Sequence, residues 1–292
     1  MSSLTIFTPT YNRAHTLSRL FQSLINQTSH DFEWLIVDDG STDDTEQLVS
    51  TFKTNKFRIR YIKQANQGKH VATNLGLKSA EGELFTCLDS DDWFHTEAVE
   101  YFLRKFKNNS KMNALITLDM FENGIVVGER LPETATVNWV DLRYKHAVKG
   151  DKCYVFRTSI VRHMTFPQHG NSQHMPPSYQ LFDFSKIYVC HLANVRTKYV
   201  EYLEDGISSK VKVNYFKSAE NYCEYRKFAH SQLPNISEKL KNILLYDISW
   251  IDTKLNPDFK FKNKISLLAS LLCLPLSAML YVYYKIHFRK KV

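Results

Sequence analysis

The segment FEWLIVDDGSTDDTEQLVSTF, residues 32–52, contains the clearest strand and helix signals of the sequence. Its apolar start shows no clear alternation of apolar and polar positions, which is typical of a strand covered on both faces. The residues after Gly40 predict a helix, because Ser41 and Asp44 fit a capping box and the first turn is acidic. A buried strand that leads through a short loop into a helix is the repeating unit of a parallel α/β sheet.

Three further strand and helix pairs surround this unit. The predicted strands are 4–8, 57–63 and 83–89, and the predicted helices are 14–27, 68–80 and 97–106. We expect the first strand to end at Pro9 and the last helix to be capped by Thr96. Four alternations of strand and helix in about 105 residues predict right-handed βαβ units and a doubly wound, mostly parallel sheet.

Carboxylates follow two of the predicted strands. Asp38 and Asp39 come after the second strand, and Asp89, Asp91 and Asp92 come after the fourth, in ELFTCLDSDDW, residues 83–93. Ligands bind such sheets at the carboxyl ends of the strands, and a phosphate-bound Mg²⁺ takes one or two protein carboxylates. An acidic turn in which Asp92 caps the next helix explains the same residues. Spacing alone therefore leaves a metal site and a structural turn both open.

Composition bounds the class of protein. The 292 residues are 43% hydrophobic and 23% charged, which is typical of a globular chain, and the net charge is +8. A basic chain has anionic partners: nucleic acid, a membrane surface or an anionic substrate. Five cysteines without a C-x-x-C pair indicate a reducing compartment without disulfides or structural zinc. The histidines at 163, 169, 174 and 191 fit no zinc spacing either. The opening MSSLTIFTPTYN lacks the features of a signal peptide, so we expect the N-terminal domain to face the cytoplasm.

The second half of the sequence is less regular. ALITL and GIVVGERL predict two strands around a turn at Asn123–Gly124, and DKCYVFRTSIVRHM predicts a strand and a short helix. Residues 164–180 predict a long loop, and residues 215–250 predict helices. Tyr222, Tyr225 and Phe228 have helical spacing, which indicates a packed helix face rather than a surface that binds nucleic acid.

The C-terminal segment ISLLASLLCLPLSAMLYVYY, residues 265–284, contains no charged residue. Lysines precede it, lysines and an arginine follow it, and Pro275 lies in its middle. Three interpretations stay open: a kinked helix or hairpin lying in a cytoplasmic leaflet, a membrane-spanning helix, or a helix buried in the core or against a second copy of the chain. The flanking basic residues are Lys260, Lys262, Lys264, Lys285, Arg289, Lys290 and Lys291.

Four ordered motifs carry a family resemblance. They are TPTYNRAHTLSRLFQSLINQT (8–28), FEWLIVDDGSTDDT (32–45), NQGKHVATNLGL (66–77) and AEGELFTCLDSDDW (80–93). Together they closely resemble the inverting family 2 glycosyltransferases over about residues 4–110. GDKCYVFRTS and VEYLEDGISS more loosely resemble the acceptor half of bacterial surface-polysaccharide members. The resemblance implies a nucleotide-sugar-binding fold of the GT-A type over residues 1–210, divided into a nucleotide-binding half at 1–110 and an acceptor half at 111–210. A helical extension at 211–260 and a membrane-associating tail at 261–292 would follow.

The resemblance also implies roles for matching residues. Tyr11 would stack on the uracil base, and Asp39 would accept a hydrogen bond from the base N–H. Asp91 would hold Mg²⁺ or Mn²⁺ in a D-x-D motif. The other implied roles are Pro9 lining the base pocket, Asp38 supporting Asp39, Lys69 meeting the nucleotide, Asn74 shaping a loop and Asp89 binding the ribose.

The implied reaction is a direct displacement in which an acceptor hydroxyl attacks the anomeric carbon and UDP leaves. A carboxylate has to deprotonate that hydroxyl. Related enzymes place a glutamate after a proline in the segment that matches HMPPSYQLF, but Pro177 stands there in this chain. Asp183 is the first substitute that we expect and Asp151 the second, with His174 as another candidate.

These assignments define the expected partners and the competing functions. The partners are a UDP-sugar donor, a glycan or lipid-linked acceptor in surface polysaccharide synthesis, an anionic membrane surface at the cytoplasmic face and a second copy of the chain, but no nucleic acid. One competing function is a catalytically impaired nucleotide-sugar-binding or scaffold protein, which Pro177 motivates. The other is a nucleotidyltransferase, which also uses aspartates and a metal ion.

Overall fold

The computed structural model describes residues 2–203, 206, 214, 216–254 and 267–288. The chain divides into two compact units. The first consists of Met1–Thr165 and Phe184–Glu201, and the second of Phe166–Asp183 and Tyr202–Val292.

The described part of the first unit forms a nine-stranded sheet with helices. The strands are β1 Leu4–Thr10, β2 Phe32–Asp38, β3 Arg58–Lys63, β4 Leu84–Cys87, β5 Trp93–Phe94, β6 Ala114–Met120, β7 Thr136–Val137, β8 Lys152–Arg157 and β9 Cys190–Tyr199. The helices are α1 Ala14–Ile25, α2 Thr45–Thr51, α3 Lys69–Ser79, α4 Ala98–Lys107, α5 Trp139–Tyr144 and α6 Thr158–Val161. Helix α7, Ser178–Ser185, lies at the boundary between the units in the sequence.

The strand order is β3-β2-β1-β4-β8-β6-β9-β5, with β7 paired to β9. The predicted parallel sheet is confirmed for β3, β2, β1 and β4. Beyond β4 the sheet is mixed, because β8 runs antiparallel to both β4 and β6. Strands β1, β2, β3, β4, β6 and β9 therefore run in one direction, and β5, β7 and β8 in the other.

Apolar side chains cover the central strands on both faces. Ile6 of β1 lies in one core cluster with Leu20 of α1 and Trp34 of β2. Phe7 points to the opposite face, where α3 passes so closely that a Cβ on Gly76 would lie 2.4 Å from the Phe7 ring. Gly76, which weakens the helix prediction on propensity alone, is thus explained by close packing of helix on strand.

Several local predictions are wrong. Strand β1 continues through Pro9 to Thr10, because β4 pairs with β1 only as far as Phe7 and β2 alone borders the rest. Helix α2 begins at Thr45 without a capping box. Its Asp44 makes no capping bond, and the side chain of Ser41 accepts the N–H of Asn12 instead.

Helix α4 begins at Ala98, and Thr96 does not cap it. The side chain of Gln27, which follows α1 in the chain, accepts the N–H of Val99 at 3.1 Å. Asp92 does not cap this helix either. A partner distant in sequence therefore replaces the local cap that the sequence predicts.

The segment GIVVGERL forms no strand. A single bridge joins Val126 to Met120, and Gly128, with φ of +65°, ends the extended backbone. Other predictions for this half are confirmed: the strand and short helix over 152–161, and helices within 215–250. The predicted loop over 164–180 is irregular as far as Pro177, but its last three residues belong to α7. All five cysteines are free thiols.

The described part of the second unit contains three long helices: α8 Ala219–His230, α9 Ile236–Lys254 and α10 Leu267–Phe288. Helix α9 contacts both α8 and α10. Cys223, Ile243 and Tyr246 form a buried cluster at these contacts. Helix α10 covers most of the uncharged C-terminal segment and contains Pro275. Within the described residues, none of the helices has the length and apolar character needed to cross a membrane. Outside the described residues lie Lys260, Lys262, Lys264, Arg289, Lys290 and Lys291.

Candidate active site

The candidate site lies at one edge of the sheet in the first unit. The carboxyl ends of β1, β2 and β4 meet there because these strands are parallel and adjacent. The beginning of β8 lies at the same edge because β8 is antiparallel to β4. The edge therefore brings together the two acidic clusters and Asp151, which directly precedes β8.

Asp39 is buried and has one acceptor position left. Its Oδ1 accepts the side chain of Gln64 at 2.8 Å and the N–H of Gln67 at 2.9 Å, and its Oδ2 accepts the N–H of Gly68 at 2.8 Å. A carboxylate has about four lone-pair positions. The remaining position on Oδ2 fits a single N–H donor, such as the one predicted from a nucleotide base.

Asp38 has a structural role in the same loop. Its carboxylate accepts the N–H of Ser41 at 2.8 Å and the hydroxyl of Tyr61. Burial of Tyr61 and its hydrogen bond to Asp38 raise the pKa of the Tyr61 hydroxyl. Tyr61 therefore stays protonated, and its hydroxyl holds the carboxylate of Asp38, the residue predicted to support Asp39.

Asn12 joins the loop after β1 to the loop after β2. Its side-chain oxygen accepts the N–H of Thr42 at 2.8 Å and of Asp43 at 3.3 Å. Its φ of 53° lies in the left-handed region, which asparagine tolerates better than most residues. The preceding Tyr11 is held on this loop with 45% of its surface exposed, and Pro9 is buried within β1. Sequence reasoning missed Asn12, although asparagine in a loop directly after a strand is a signal for such a turn.

Lys69 and Asp89 form an ion pair across the site. The Lys69 ammonium lies 2.6 Å from Oδ1 and 2.7 Å from Oδ2 of Asp89. Burial opposes both charges, but their attraction outweighs it, so the pKa of Lys69 is raised and that of Asp89 is lowered. Sequence reasoning placed both residues at the nucleotide, and the structure places them next to each other. Asn74 lies on α3, half-buried.

Asp91 differs from its two neighbours in the cluster. Among the described residues, its carboxylate forms no ion pair with a lysine or arginine side chain. Its backbone oxygen accepts a hydrogen bond from Arg19 at 2.9 Å. Burial and the neighbouring charge of Asp89 raise the pKa of the Asp91 carboxyl. Within the described ranges, no three His, Cys, Asp or Glu side chains converge to hold a metal ion. One unpaired carboxylate nevertheless fits a cation that takes its other ligands from phosphate and water.

Asp92 belongs to a buried group of charges that sequence reasoning missed. The ammonium of Lys198 lies 3.0 Å from Asp92 and 3.1 Å from Asp119. Burial raises the pKa of both aspartates, while Asp119 and Asp92 raise the pKa of Lys198 against its own burial. Lys198 and Asp119 stand in strands far along the chain, so no local pattern connects them to the acidic loop.

The end of β9 holds the acidic loop in two further ways. Strand β5, which follows Asp92, pairs with β9, and the rings of Trp93 and Tyr199 stack with centroids 5.4 Å apart. Arg19 lies over the Trp93 ring at 3.9 Å and pairs with Glu201 at 2.5 Å. The conformation of Asp91 is thus determined by side chains from α1 and β9.

The two candidate bases lie in different units. Asp151 is exposed in the first unit, and its charge raises the pKa of the buried Asp119, which indicates that the two are near each other. Asp183 lies on α7 and belongs to the second unit. Pro177 stands directly before α7. The ring of His174 stacks on Tyr222 with centroids 5.7 Å apart.

The strand order and the position of the site define an α/β protein of the GT-A type, and solved structures share this fold. Staphylococcus aureus TarS 1–349 in complex with UDP-GlcNAc has a TM-score of 0.64 at 20% identity, covering 97% of this chain and 81% of that one. The mannosyltransferase PcManGT from Pyrobaculum calidifontis, in complex with GDP-Man and Mn²⁺, has a TM-score of 0.56 at 15% identity, covering 97% and 82%.

The family follows from the sequence match. The model of glycosyl transferase family 2 matches residues 5–166, more than half of the chain, and the chain belongs to this family.

Curated relatives match a little over a third of the chain. An uncharacterized glycosyltransferase of Rickettsia felis is 40% identical over 109 residues, which is 37% of this chain and 18% of the relative. The chondroitin synthase of Escherichia coli is 36% identical over 114 residues, 39% of this chain and 17% of the relative. The matched region therefore spans less than a fifth of these relatives.

Proposed function

We propose that the chain transfers a sugar from a UDP-sugar to a hydroxyl of a glycan or lipid-linked acceptor in surface polysaccharide synthesis. The observation that carries the proposal is the meeting of Asp39 and Asp91 at one sheet edge in a family 2 chain. The first has one acceptor position left for a base N–H, and the second has a carboxylate without a basic side-chain partner among the described residues. The similarity to TarS, which is in complex with UDP-GlcNAc, supports a uridine nucleotide.

In this proposal each residue of the edge contacts a defined part of the donor. The exposed ring of Tyr11 stacks on the base, above the buried Pro9 that shapes the end of β1. The remaining lone pair of Asp39 accepts the base N–H. Asp89 accepts a ribose hydroxyl with the lone pairs that Lys69 does not occupy, and Lys69 adds positive charge beside the diphosphate.

Asp91 would hold Mg²⁺ or Mn²⁺, and its raised carboxyl pKa fits a group that a cation would stabilise in its charged form. Such an ion supplies positive charge against the charge that develops on the leaving diphosphate. Arg19 bonds to the backbone oxygen of Asp91, and Lys198 pairs with the adjacent Asp92, so both hold the loop that carries Asp91.

The acceptor hydroxyl needs a carboxylate within hydrogen-bond reach on the face of the sugar opposite the leaving diphosphate. The exposed position of Asp151 at the carboxyl edge supports it as this base, and Asp183 is the second candidate. Direct displacement by that hydroxyl inverts the anomeric centre. Pro177 favours one alternative, a protein that binds the donor without turnover, because it removes the residue expected in the base segment.

Calorimetric titration of UDP tests the donor site. We expect the wild-type chain to bind UDP more tightly with Mn²⁺ than with EDTA, and Asp91→Asn to abolish this difference. Asp39→Asn should weaken binding by about 10-fold or more, because it loses a charged acceptor. The exposed Asp44→Asn on the neighbouring loop is the matched control and should bind like wild type.

Absence of UDP binding by the folded wild-type chain under both conditions would refute the assignment. GDP titrated in parallel tests the other nucleotide class. With UDP-sugars and an acceptor, release of UDP indicates glycosyl transfer, whereas release of diphosphate would indicate nucleotidyl transfer. Binding without any product would indicate the non-catalytic alternative.

A further inference from the structure

One face of helix α10 carries polar groups that contact α9. The hydroxyl of Ser277 donates to Asp247 of α9 at 3.2 Å, and the hydroxyl of Tyr281 donates to Asp252 at 2.9 Å. Lys285 lies 2.9 Å from the same Asp252. Ser277 and Tyr281 are buried by these contacts. Ser277 and Lys285 therefore lie on the face of α10 that contacts α9.

The opposite face of α10 is apolar and exposed. Its residues recur at intervals of four and three, so they form one stripe about 21 Å long. Their exposed fractions lie between 51% and 78%. A helix at the surface of a water-soluble protein has the reverse arrangement, with its apolar stripe facing the core. The stripe consists of Leu272, Leu276, Met279, Tyr283 and Ile286, with Val282 beside it.

The charge of this segment favours a lipid surface over a second copy of the chain as the partner of the stripe. Residues 265–292 contain no aspartate or glutamate, and Arg289, Lys290 and Lys291 follow α10 directly in the sequence. Lys260, Lys262 and Lys264 precede it. A second copy of the segment would offer these cations no acidic partner, whereas an anionic lipid surface would. Tyr283 and Tyr284, near the basic end, are side chains that favour a membrane interface.

We propose that the outer stripe of α10 docks on the surface of an anionic lipid leaflet, with the helix lying along the membrane plane. Only the outer face meets the acyl chains, because the inner face carries Ser277, Lys285 and the aspartates of α9. The basic residues that precede and follow α10 in the sequence supply the positive charge that attracts an anionic leaflet. The docking surface and the donor site consist of different residues, so docking on a membrane does not depend on the proposed transfer reaction.

Vesicle flotation with the full chain tests this surface. We expect wild type to bind vesicles of phosphatidylcholine with 30% phosphatidylglycerol at least about 10-fold more than vesicles of phosphatidylcholine alone, and added salt to reduce the binding. The double variant Leu276→Glu/Met279→Glu should lose at least about 10-fold of the binding, since two charges would enter the apolar layer. Ile187→Glu changes an equally exposed apolar residue of the first unit and should bind like wild type.

Three results would overturn the proposal. They are equal binding of the double variant and wild type, equal binding of wild type to both vesicle types, and a wild-type dimer by light scattering that the double variant converts to a monomer without any vesicle binding. The last result would assign the stripe to a contact between copies. The exposed positions of both substitutions leave the fold intact, which unfolding temperature checks. UDP titration of the same variants separates this outcome from failure of the donor site, because their UDP affinity should equal that of wild type.

Discussion

The three aspartates after β4 stand within four residues, and each has different surroundings. Asp89 is paired with Lys69, and Asp92 with Lys198. Asp91 is left without a basic side-chain partner among the described residues. The two lysines each offset one negative charge of the cluster, and Asp91 still experiences the charge of Asp89, which raises the pKa of its carboxyl. This arrangement lets three aspartates stand within one short loop of a stable fold.

Lys198→Met tests the buried part of this arrangement. It should lower the free energy of unfolding by about 3 kcal/mol, because Asp92 and Asp119 lose their shared cation in a buried place. Urea denaturation measures the change. The exposed Lys107→Met is the control for loss of a lysine and should change the midpoint little. A Lys198→Met midpoint equal to that of the control would contradict the role of Lys198.

Replacing the candidate bases tests the reaction itself. Asp151→Asn should lower kcat by about 100-fold or more while UDP affinity stays unchanged, since a base acts on the acceptor and not on the nucleotide. Asp183→Asn, measured alongside with the same donor and acceptor, should keep most of the activity. The reverse pattern would transfer the role to Asp183, and full activity of both variants would exclude either carboxylate.

At the scale of elements, the sequence predicts what depends on neighbours along the chain. The spacing of Leu17, Leu20 and Leu24 predicts α1, and the unbroken apolar run predicts β2, because each pattern lies within one element. The caps could not be predicted in this way. Gln27 reaches Val99 and Asn12 reaches Thr42 only after the sheet has formed. The aspartates of the candidate site could be predicted because they directly follow strands in the sequence. Lys198 could not, because only the order of the strands in the sheet brings it to Asp92.

Gly76→Ala tests how α3 is placed on the sheet. A Cβ there would lie 2.4 Å from the Phe7 ring, so the variant should lose about 1–3 kcal/mol of stability despite the better helix propensity of alanine. Thermal or urea unfolding measures the loss. Combining the change with Phe7→Leu should recover part of it, because the smaller side chain makes room. If Gly76→Ala is as stable as wild type, the close contact is relaxed in solution.

At the scale of the whole molecule, the polar groups of the sheet are divided between its two ends. The candidate site occupies the carboxyl edge. Near the amino ends of the strands, the buried Glu33 of β2 accepts the hydroxyl of Thr5 at 2.7 Å and the N–H of Glu81 at 2.8 Å, and it pairs with Arg60 at 3.0 Å. This network joins β1, β2 and β3 at the end of the sheet opposite the candidate site, so its pH dependence is expected in stability.

Glu33 should make the fold sensitive to acid. Burial opposes its charge, but the hydrogen bonds from Thr5, Glu81 and Arg60 outweigh burial and lower its pKa below the ordinary 4.5. A carboxyl with a lower pKa in the folded state stabilises the fold above its unfolded pKa, and this contribution is lost as pH falls through the folded pKa. At pH 7, Glu33→Gln should lower the free energy of unfolding by about 2–3 kcal/mol relative to wild type.

The same pair of proteins measured at lower pH provides the check. The difference in unfolding free energy between wild type and Glu33→Gln should shrink as pH falls below about 4.5. The exposed Glu97→Gln should show no comparable change between the two conditions. A difference that stays constant with pH would contradict the assignment of a lowered pKa to Glu33.

The contacts of β9 with the acidic loop have a consequence for the order in which the chain is made. The loop at residues 89–93 leaves the ribosome about a hundred residues before Lys198, Tyr199 and Glu201, which hold it. A nascent chain ending near residue 166, where the family match stops, contains Asp39 and its loop contacts but no partner for Asp92. The surroundings of Asp39 can therefore form early in synthesis, and those of the acidic loop only after the last strand has been added to the sheet.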